Sequence, residues 1–176
     1  PDLQDRILTV NGVSKSYCMT GWRIGYGSGP VPLIKAMAKV QSQSTSSPNS
    51  MAQYAAIAAL DGPLDFMAEN RAAFARRRQL VCEALNNIDG IDCPLPDGAF
   101  YAYPSIAKLI GKKRPDGKII ESDSDFVSYL LEAGEVAVVP GAAFGLSPYF
   151  RISYAAADDV LADAMQRIAK VTASLT

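Results

Sequence analysis

Between Ile7 and Tyr26 the sequence sets two cations among apolar residues, and that placement limits what the chain can be. Ile7-Leu8-Thr9-Val10 is a short apolar run that predicts a buried strand, spanning residues 6 to 13. Gly12 lets the backbone leave this strand, and Lys15 follows at once. Thr20-Gly21 makes a turn, and Trp22-Arg23-Ile24-Gly25-Tyr26 predicts a second strand over 22 to 27. Lys15 and Arg23 are thereby delivered to one place from an apolar neighbourhood. Burying a charge costs several kcal/mol unless it is paired, so the arrangement calls for an anion, or for a chemical use of the amine.

Taken singly, neither residue is specific. A lysine after a strand is most often a solvated loop residue, and an arginine between Trp22 and Ile24 is most simply half of a structural ion pair. The combination says more. A lysine whose neighbours depress its pKa can form a Schiff base with a carbonyl, and a guanidinium fork close by can hold a phosphate through two hydrogen bonds. Together they describe a pocket for a phosphorylated aldehyde, which is pyridoxal phosphate.

The run from Ser14 through Lys15 to Gly21-Trp22-Arg23-Ile24-Gly25-Tyr26 resembles the lysine signature of class I pyridoxal-phosphate aminotransferases, in particular bacterial aspartate aminotransferases of subgroup Ib. The resemblance implies that Lys15 is the Schiff-base lysine and that Arg23, eight residues later, binds the cofactor phosphate. Some relatives carry a phosphate-holding serine three residues before the lysine. That position here is Gly12, and the role is assigned to no residue.

Two further motifs follow the same resemblance. Phe150-Arg151-Ile152-Ser153-Tyr154 alternates as a strand should; if Phe150, Ile152 and Tyr154 face a core, Arg151 faces the other way. By itself Arg151 reads equally as half of a surface ion pair. The stretch looks like the family's C-terminal motif, whose arginine binds the substrate α-carboxylate, a task suited to a planar fork. Gly98-Ala99-Phe100-Tyr101, after an Asp97-Gly98 turn, reads first as a hairpin strand packing aromatics into a small core. It also resembles a motif bordering the substrate, with Phe100 as the contact.

The remaining features are ordinary. Of 176 residues, 49% are hydrophobic and 20% charged, as in a soluble globular protein. A net charge of −1 gives no basis for a nucleic-acid or anionic-membrane partner, and no apolar run is long enough to span a bilayer. Histidine is absent, which excludes histidine triads and the common zinc sites, so no metal is expected. Cys18, Cys82 and Cys93 lack CxxC spacing and read as reduced, mostly packed thiols of a cytoplasmic protein.

Helices are expected from Val31 to about Gln41, with Leu33, Ile34, Met37 and Val40 on one face, from Met51 to Leu60, and from about Pro63 to Asn87. Ser42 to Ser50 reads as a linker by composition; the resemblance implies a loop reaching across a dimer interface. Arg76-Arg77-Arg78 reads as a solvated face and residues 111 to 118 as an exposed, moving basic loop. Ser122 to Asp125 offers caps for a helix that Gly134 ends, Val136 to Val139 predicts a buried strand, Pro140 to Pro148 a loop carrying Phe144, and Asp158-Asp159 opens the last helix.

The resemblance covers nearly the whole chain but only the C-terminal part of a family member, so a fragment is expected. It implies an α/β chain of fold type I: the end of a large three-layer α/β/α domain (1–62), a connecting helix (63–88) and a small α+β domain (89–176). It further implies transamination between an amino acid and a 2-oxo acid, of the aspartate:2-oxoglutarate type, by a cytoplasmic homodimer. The alternatives are another fold type I enzyme, such as an aromatic aminotransferase or a C–S lyase, and a folded or dimerising module without activity of its own.

Overall fold

The computed structural model describes residues 3–176. The chain divides into two compact units, one running to Ala68 and the other spanning Glu69–Thr176, and each has its own buried cluster.

In the first unit, strands β1 (Thr9–Gly12) and β2 (Gly25–Ser28) pair antiparallel, with Thr9 opposite Ser28 and Gly12 opposite Gly25. Helices α1 (Val31–Ser44) and α2 (Ser50–Asp61) follow. Asn49 caps α2 by accepting a hydrogen bond from the Ala52 amide at 3.2 Å. The connection between them is only Thr45 to Asn49, shorter than composition suggested, because serine at 42 and 44 is accommodated in the last turn of α1. The core is small: Val13 and Ile24 meet Ala52 and Ala56, with Tyr17 and Met19 against them.

The sequence-based expectation of a buried first strand fails here. β1 is shorter than residues 6 to 13 and exposed, with Val10 at 71% and Ile7 at 49% of full accessibility. A two-stranded ribbon needs a further layer on its faces, and among the described residues none covers these side chains. The second strand begins at Gly25 rather than Trp22, because Thr20–Trp22 forms a 3-10 turn and Arg23 takes a left-handed conformation (φ 53°). The apolar face of α1 is where periodicity put it, yet Leu33, Met37 and Val40 are exposed.

The second unit is built on a three-stranded antiparallel sheet in the order β3 (Tyr101–Ala102), β5 (Phe150–Ser153), β4 (Val139–Pro140). Most of helix α3 (Asp65–Asn86), together with α4 (Asp123–Gly134) and α5 (Asp158–Ala173), encloses it. Phe126, Leu130, Phe150, Ile152, Tyr154 and Ile168 form the centre of the core. The predicted strand over 136–139 shrinks to Val139–Pro140, although Val136 is buried. α4 begins at a reciprocal cap: the Ser122 hydroxyl accepts from the Asp125 amide at 3.2 Å and donates to its carboxylate at 2.8 Å. The helix ends at Gly134 as expected, but Glu135 supplies the left-handed cap (φ 54°). Gly134 instead permits close helix packing, since a Cβ there would lie 2.9 Å from Val171 on α5.

Two basic segments depart from expectation. Arg76 and Arg77 both bind Asp158, at 2.8 and 2.7 Å, and Arg78 donates to the Pro96 carbonyl at 2.9 Å. They tie α3 to the first turn of α5 and to the 93–97 segment rather than forming a solvated face. The 111–118 segment is likewise fastened. Lys113 and Thr176 exchange backbone hydrogen bonds at 2.8 and 3.0 Å. Arg114 pairs with Asp116 and Glu132 and lies 4.4 Å from the Tyr129 ring centre.

Of the three cysteines, Cys82 and Cys93 in this unit are packed as expected, whereas Cys18 in the first unit is exposed, on the turn after Lys15. Cys82 and Cys93 are free, buried and 3.8 Å apart. Burial, then the neighbouring Cys82 thiol, pushes the Cys93 thiol up to about 12. Both thiols should therefore resist Ellman's reagent at pH 8 in the folded protein and react after denaturation; rapid native labelling of either would contradict this packing. For Asp158, hydrogen bonds from Arg77 and then Arg76 hold the carboxyl below its usual range. A depressed folded pKa means that the pairing adds stability above the unfolded value and loses it as pH falls through the folded one. An NMR titration should place the Asp158 midpoint below the usual value of about 3.9. Arg77→Ala should move it upward.

Candidate functional site

In the first unit, backbone contacts fix where the two cations emerge. β1 ends and β2 begins at the Gly12–Gly25 pair, where the two chains approach closely. A Cβ on Gly12 would lie 3.2 Å from the Ile24 carbonyl oxygen, and one on Gly25 would lie 3.2 Å from that of Asn11. Immediately beyond this pair, Val13 and Ile24 drop into the small core. Lys15 leaves the ladder two residues after Val13, and Arg23 enters it one residue before Ile24, so both cations stand at the same end of the ribbon.

The turn between them is closed by the Cys18 amide donating to the Lys15 carbonyl at 3.1 Å. Arg23 is held twice by Thr20, whose carbonyl accepts from the Arg23 amide at 3.4 Å and from Nη1 at 3.0 Å. No carboxylate lies within ion-pair distance of Arg23 among the described residues, which does not support the structural ion pair as the reason for this arginine. Both Lys15 and Arg23 are exposed, contrary to the buried pair that the apolar flanks suggested. The flanks bury Val13 and Ile24 and leave the cations on the open side.

An amine and a guanidinium fork at one ribbon end form a donor set matched to a phosphorylated aldehyde. The pinned Arg23 backbone fits that use, since it presents its remaining N–H donors without an internal acid. The residues present therefore fit pyridoxal phosphate in donor type.

In the second unit, β5 alternates as expected. Phe150, Ile152 and Tyr154 are buried, and Arg151 points to the opposite face, partly exposed. Its guanidinium carbon lies 4.4 Å from the ring centre of Tyr101 and 4.4 Å from that of Phe144. Among the described residues it has no ion-pair partner, so the surface ion pair weighed for it is not formed. Each cation–ring contact is worth about 0.5–1 kcal/mol when exposed.

Phe100 is half-buried, with its ring 4.4 Å from Tyr101 and 6.0 Å from Phe74. Its carbonyl accepts from the Tyr154 amide at 2.9 Å. It thus packs against the Tyr101 ring, which in turn contacts Arg151. The structure brings Arg151, Tyr101, Phe144 and Phe100 together in the second unit, and Lys15 and Arg23 together in the first. Tyr101 was not singled out from sequence. The usable signal was strand pairing: Tyr101 lies opposite Ser153, two residues from Arg151 on the same face.

Comparison with known proteins accords with these features. The sequence matches the family model of aminotransferase class I and II over residues 1–168. It is 60% identical over 169 residues to an aspartate aminotransferase of Rhizobium meliloti (strain 1021), covering 96% of this chain and 41% of that protein. It is 61% identical over 176 residues to an aspartate/prephenate aminotransferase of Cereibacter sphaeroides, covering 100% of this chain and 44% of that one. Among solved structures, the aspartate aminotransferase from Rhizobium meliloti matches with a TM-score of 0.97 at 57% identity, over all of this chain and 44% of that chain. An aromatic aminotransferase from Pyrococcus horikoshii matches with a TM-score of 0.83 at 38% identity, over 97% of this chain and 44% of that chain. The chain spans less than half the length of these relatives.

The stacking around Arg151 predicts measurable coupling. In a double-mutant cycle of Arg151→Met and Phe144→Leu, followed by chemical denaturation, the interaction energy should be about 0.5–1 kcal/mol. Strict additivity would show that the ring contributes nothing to holding the guanidinium.

Proposed function

The chain belongs to the class I and II aminotransferases, and on that premise we propose that it is part of a longer pyridoxal-phosphate-dependent transaminase that moves the amino group of aspartate to 2-oxoglutarate. The observation that carries this reading is the paired emergence of Lys15 and Arg23 at the Gly12–Gly25 end of the ribbon. When bound, the cofactor supplies an aldehyde that captures amines and a ring that accepts the electron pair released at Cα. Arg23 would hold the phosphate through its fork. Lys15 Nζ would anchor the aldehyde carbon and, once displaced by the substrate amine, take the proton from Cα and return it as an acid.

Arg151 would hold the substrate α-carboxylate. Its planar geometry, held against two rings, fixes the direction of the carboxylate as well as neutralising its charge. Phe100, packed against Tyr101, would border the substrate and exclude water there. The exposed apolar residues of β1 and α1 favour assembly with further protein surface, in keeping with a homodimer of the longer enzyme. Among the described residues no helix is long and apolar enough to cross a membrane, and we place the enzyme in the cytoplasm.

The aspartate/prephenate name of the Cereibacter sphaeroides relative, 61% identical, favours a second reading in which prephenate also serves as the oxo acid. A panel of aspartate, aromatic amino acids, 2-oxoglutarate and prephenate separates these specificities from each other and from C–S lyase activity. The exposure of Lys15 and Arg23 within this chain favours an inert module when the chain is taken alone.

In the full-length protein, Lys15→Ala should lower kcat by at least about 10²-fold, the lower range of general acid–base contributions. Borohydride reduction with the cofactor should label the Lys15 peptide of the wild type and not of the variant. Full retained activity, or labelling at another lysine, would overturn the assignment; labelling of the isolated chain at Lys15 would overturn the inert-module reading.

A further inference from the structure

A buried carboxylate that the proposed chemistry does not use holds the segment that covers Arg151. Asp123, in the first turn of α4, is 1% exposed. Its Oδ2 accepts from the Ala142 amide at 3.0 Å and from the Ser147 hydroxyl at 2.7 Å. Both donors belong to the 141–147 segment, which follows β4 and carries Phe144.

This segment is closed on itself. The Gly141 amide donates to the Tyr149 carbonyl at 2.7 Å, and the Leu146 amide donates to the Gly141 carbonyl at 3.1 Å. The Tyr103 hydroxyl donates to the Gly141 carbonyl at 3.2 Å. A Cβ at Gly141 would collide with the Leu146 carbonyl oxygen, so a side chain there is excluded. These bonds shape the loop, while Asp123 fastens it to α4.

Phe144 itself is 49% exposed and is not part of the buried core. An exposed ring gains little from burial, so its place over the guanidinium depends on the backbone that bears it. That backbone is held at Ala142 on one side of Phe144 and at Ser147 on the other. Opening the loop would break both of these hydrogen bonds to a charged acceptor, which favours closure.

We propose that Asp123 is a positioning residue for substrate binding: by closing the 141–147 segment it keeps Phe144 against the Arg151 guanidinium and so sets the direction of the fork that receives the α-carboxylate. This rests on the reading of Arg151 as the carboxylate-binding residue. Arg151 is confined by the Tyr101 ring through the sheet, and by the Phe144 ring through Asp123. Removing the anchor loosens one of the two ring contacts without touching the charge of the fork.

The test uses the full-length enzyme loaded with its cofactor. Asp123→Ala should raise KM for aspartate, and Kd for the unreactive dicarboxylate maleate, by about tenfold, with kcat changed by less than about twofold; small misplacements of a binding group cost rate and affinity on this scale or more. Asp123→Asn, whose amide oxygen still accepts from Ala142, should recover most of the loss. Phe144→Leu should reproduce the Asp123→Ala effect, and the double variant should be no worse than either single one. If Asp123→Ala fails to fold, Ser147→Ala, which removes one of the two donors, should still raise maleate Kd severalfold in a variant whose Tm is near wild type. Wild-type affinity in Ser147→Ala and Asp123→Ala, or additive losses in the double variant, would overturn the inference. Arg151→Lys separates the two levels. If it too leaves maleate affinity unchanged, the carboxylate role of Arg151 fails; if it weakens binding while the Asp123 and Ser147 variants do not, only the positioning role fails.

Discussion

The second unit depends on β5 serving two faces at once. Phe150, Ile152 and Tyr154 are drawn into the core, each removing a large apolar side chain from water. Because strand side chains alternate, that same burial forces Arg151 onto the opposite face. β3 and β4 pair on either side of β5, so the arginine stands in the middle of the sheet rather than at an edge. A guanidinium there has little freedom to wander, and the Tyr101 and Phe144 rings remove more of it. The core thereby aims a cation that takes no part in it.

The first unit reaches a comparable outcome by backbone means. Its core is small, and its strands are exposed on their faces. What locates Lys15 and Arg23 is the close approach of Gly12 and Gly25, followed by the burial of Val13 and Ile24 on either strand. Arg23 departs from the strand conformation altogether, and Thr20 holds both its amide and its side chain. The left-handed backbone at a non-glycine residue is an energetic concession that such local bonds offset. It lets the fork leave the ribbon next to the turn bearing the lysine.

Periodicity made the last helix and the alternation of β5 legible, since each has a core-facing stripe of its own, and it also marked the stripe of α1, which is exposed. The roles proposed for Lys15, Arg23 and Arg151 rest on motif resemblance, not on spacing. Exposure was not legible. Ile7, Leu8 and Val10 look like buried strand residues because hydrophobicity records what a side chain prefers, and not whether a covering layer is present. The arginine run on α3 was misread for the converse reason: its partner Asp158 lies over 80 residues away, and no local pattern announces a long-range ion pair. Asp123 was hidden in the same way. As a first-turn acid it looks like an ordinary favourable charge at a helix start, while its hydrogen bonds reach to Ala142 and Ser147.

These placements follow a common logic. A planar cation recognises a carboxylate or phosphate best when its orientation is settled before the anion arrives, because ordering a long side chain on binding costs conformational entropy. Arg151 obtains that order from two rings and an antiparallel sheet, whereas Arg23 obtains it from one carbonyl and a left-handed backbone. Internal carboxylates would have ordered both more simply, but would have occupied the donors an incoming anion needs. The acids nearest in function act elsewhere: Asp158 restrains Arg76 and Arg77, and Asp123 restrains a loop. Among the described residues no carboxylate pairs with Arg23 or Arg151, an arrangement that suits the anion-binding roles proposed for them.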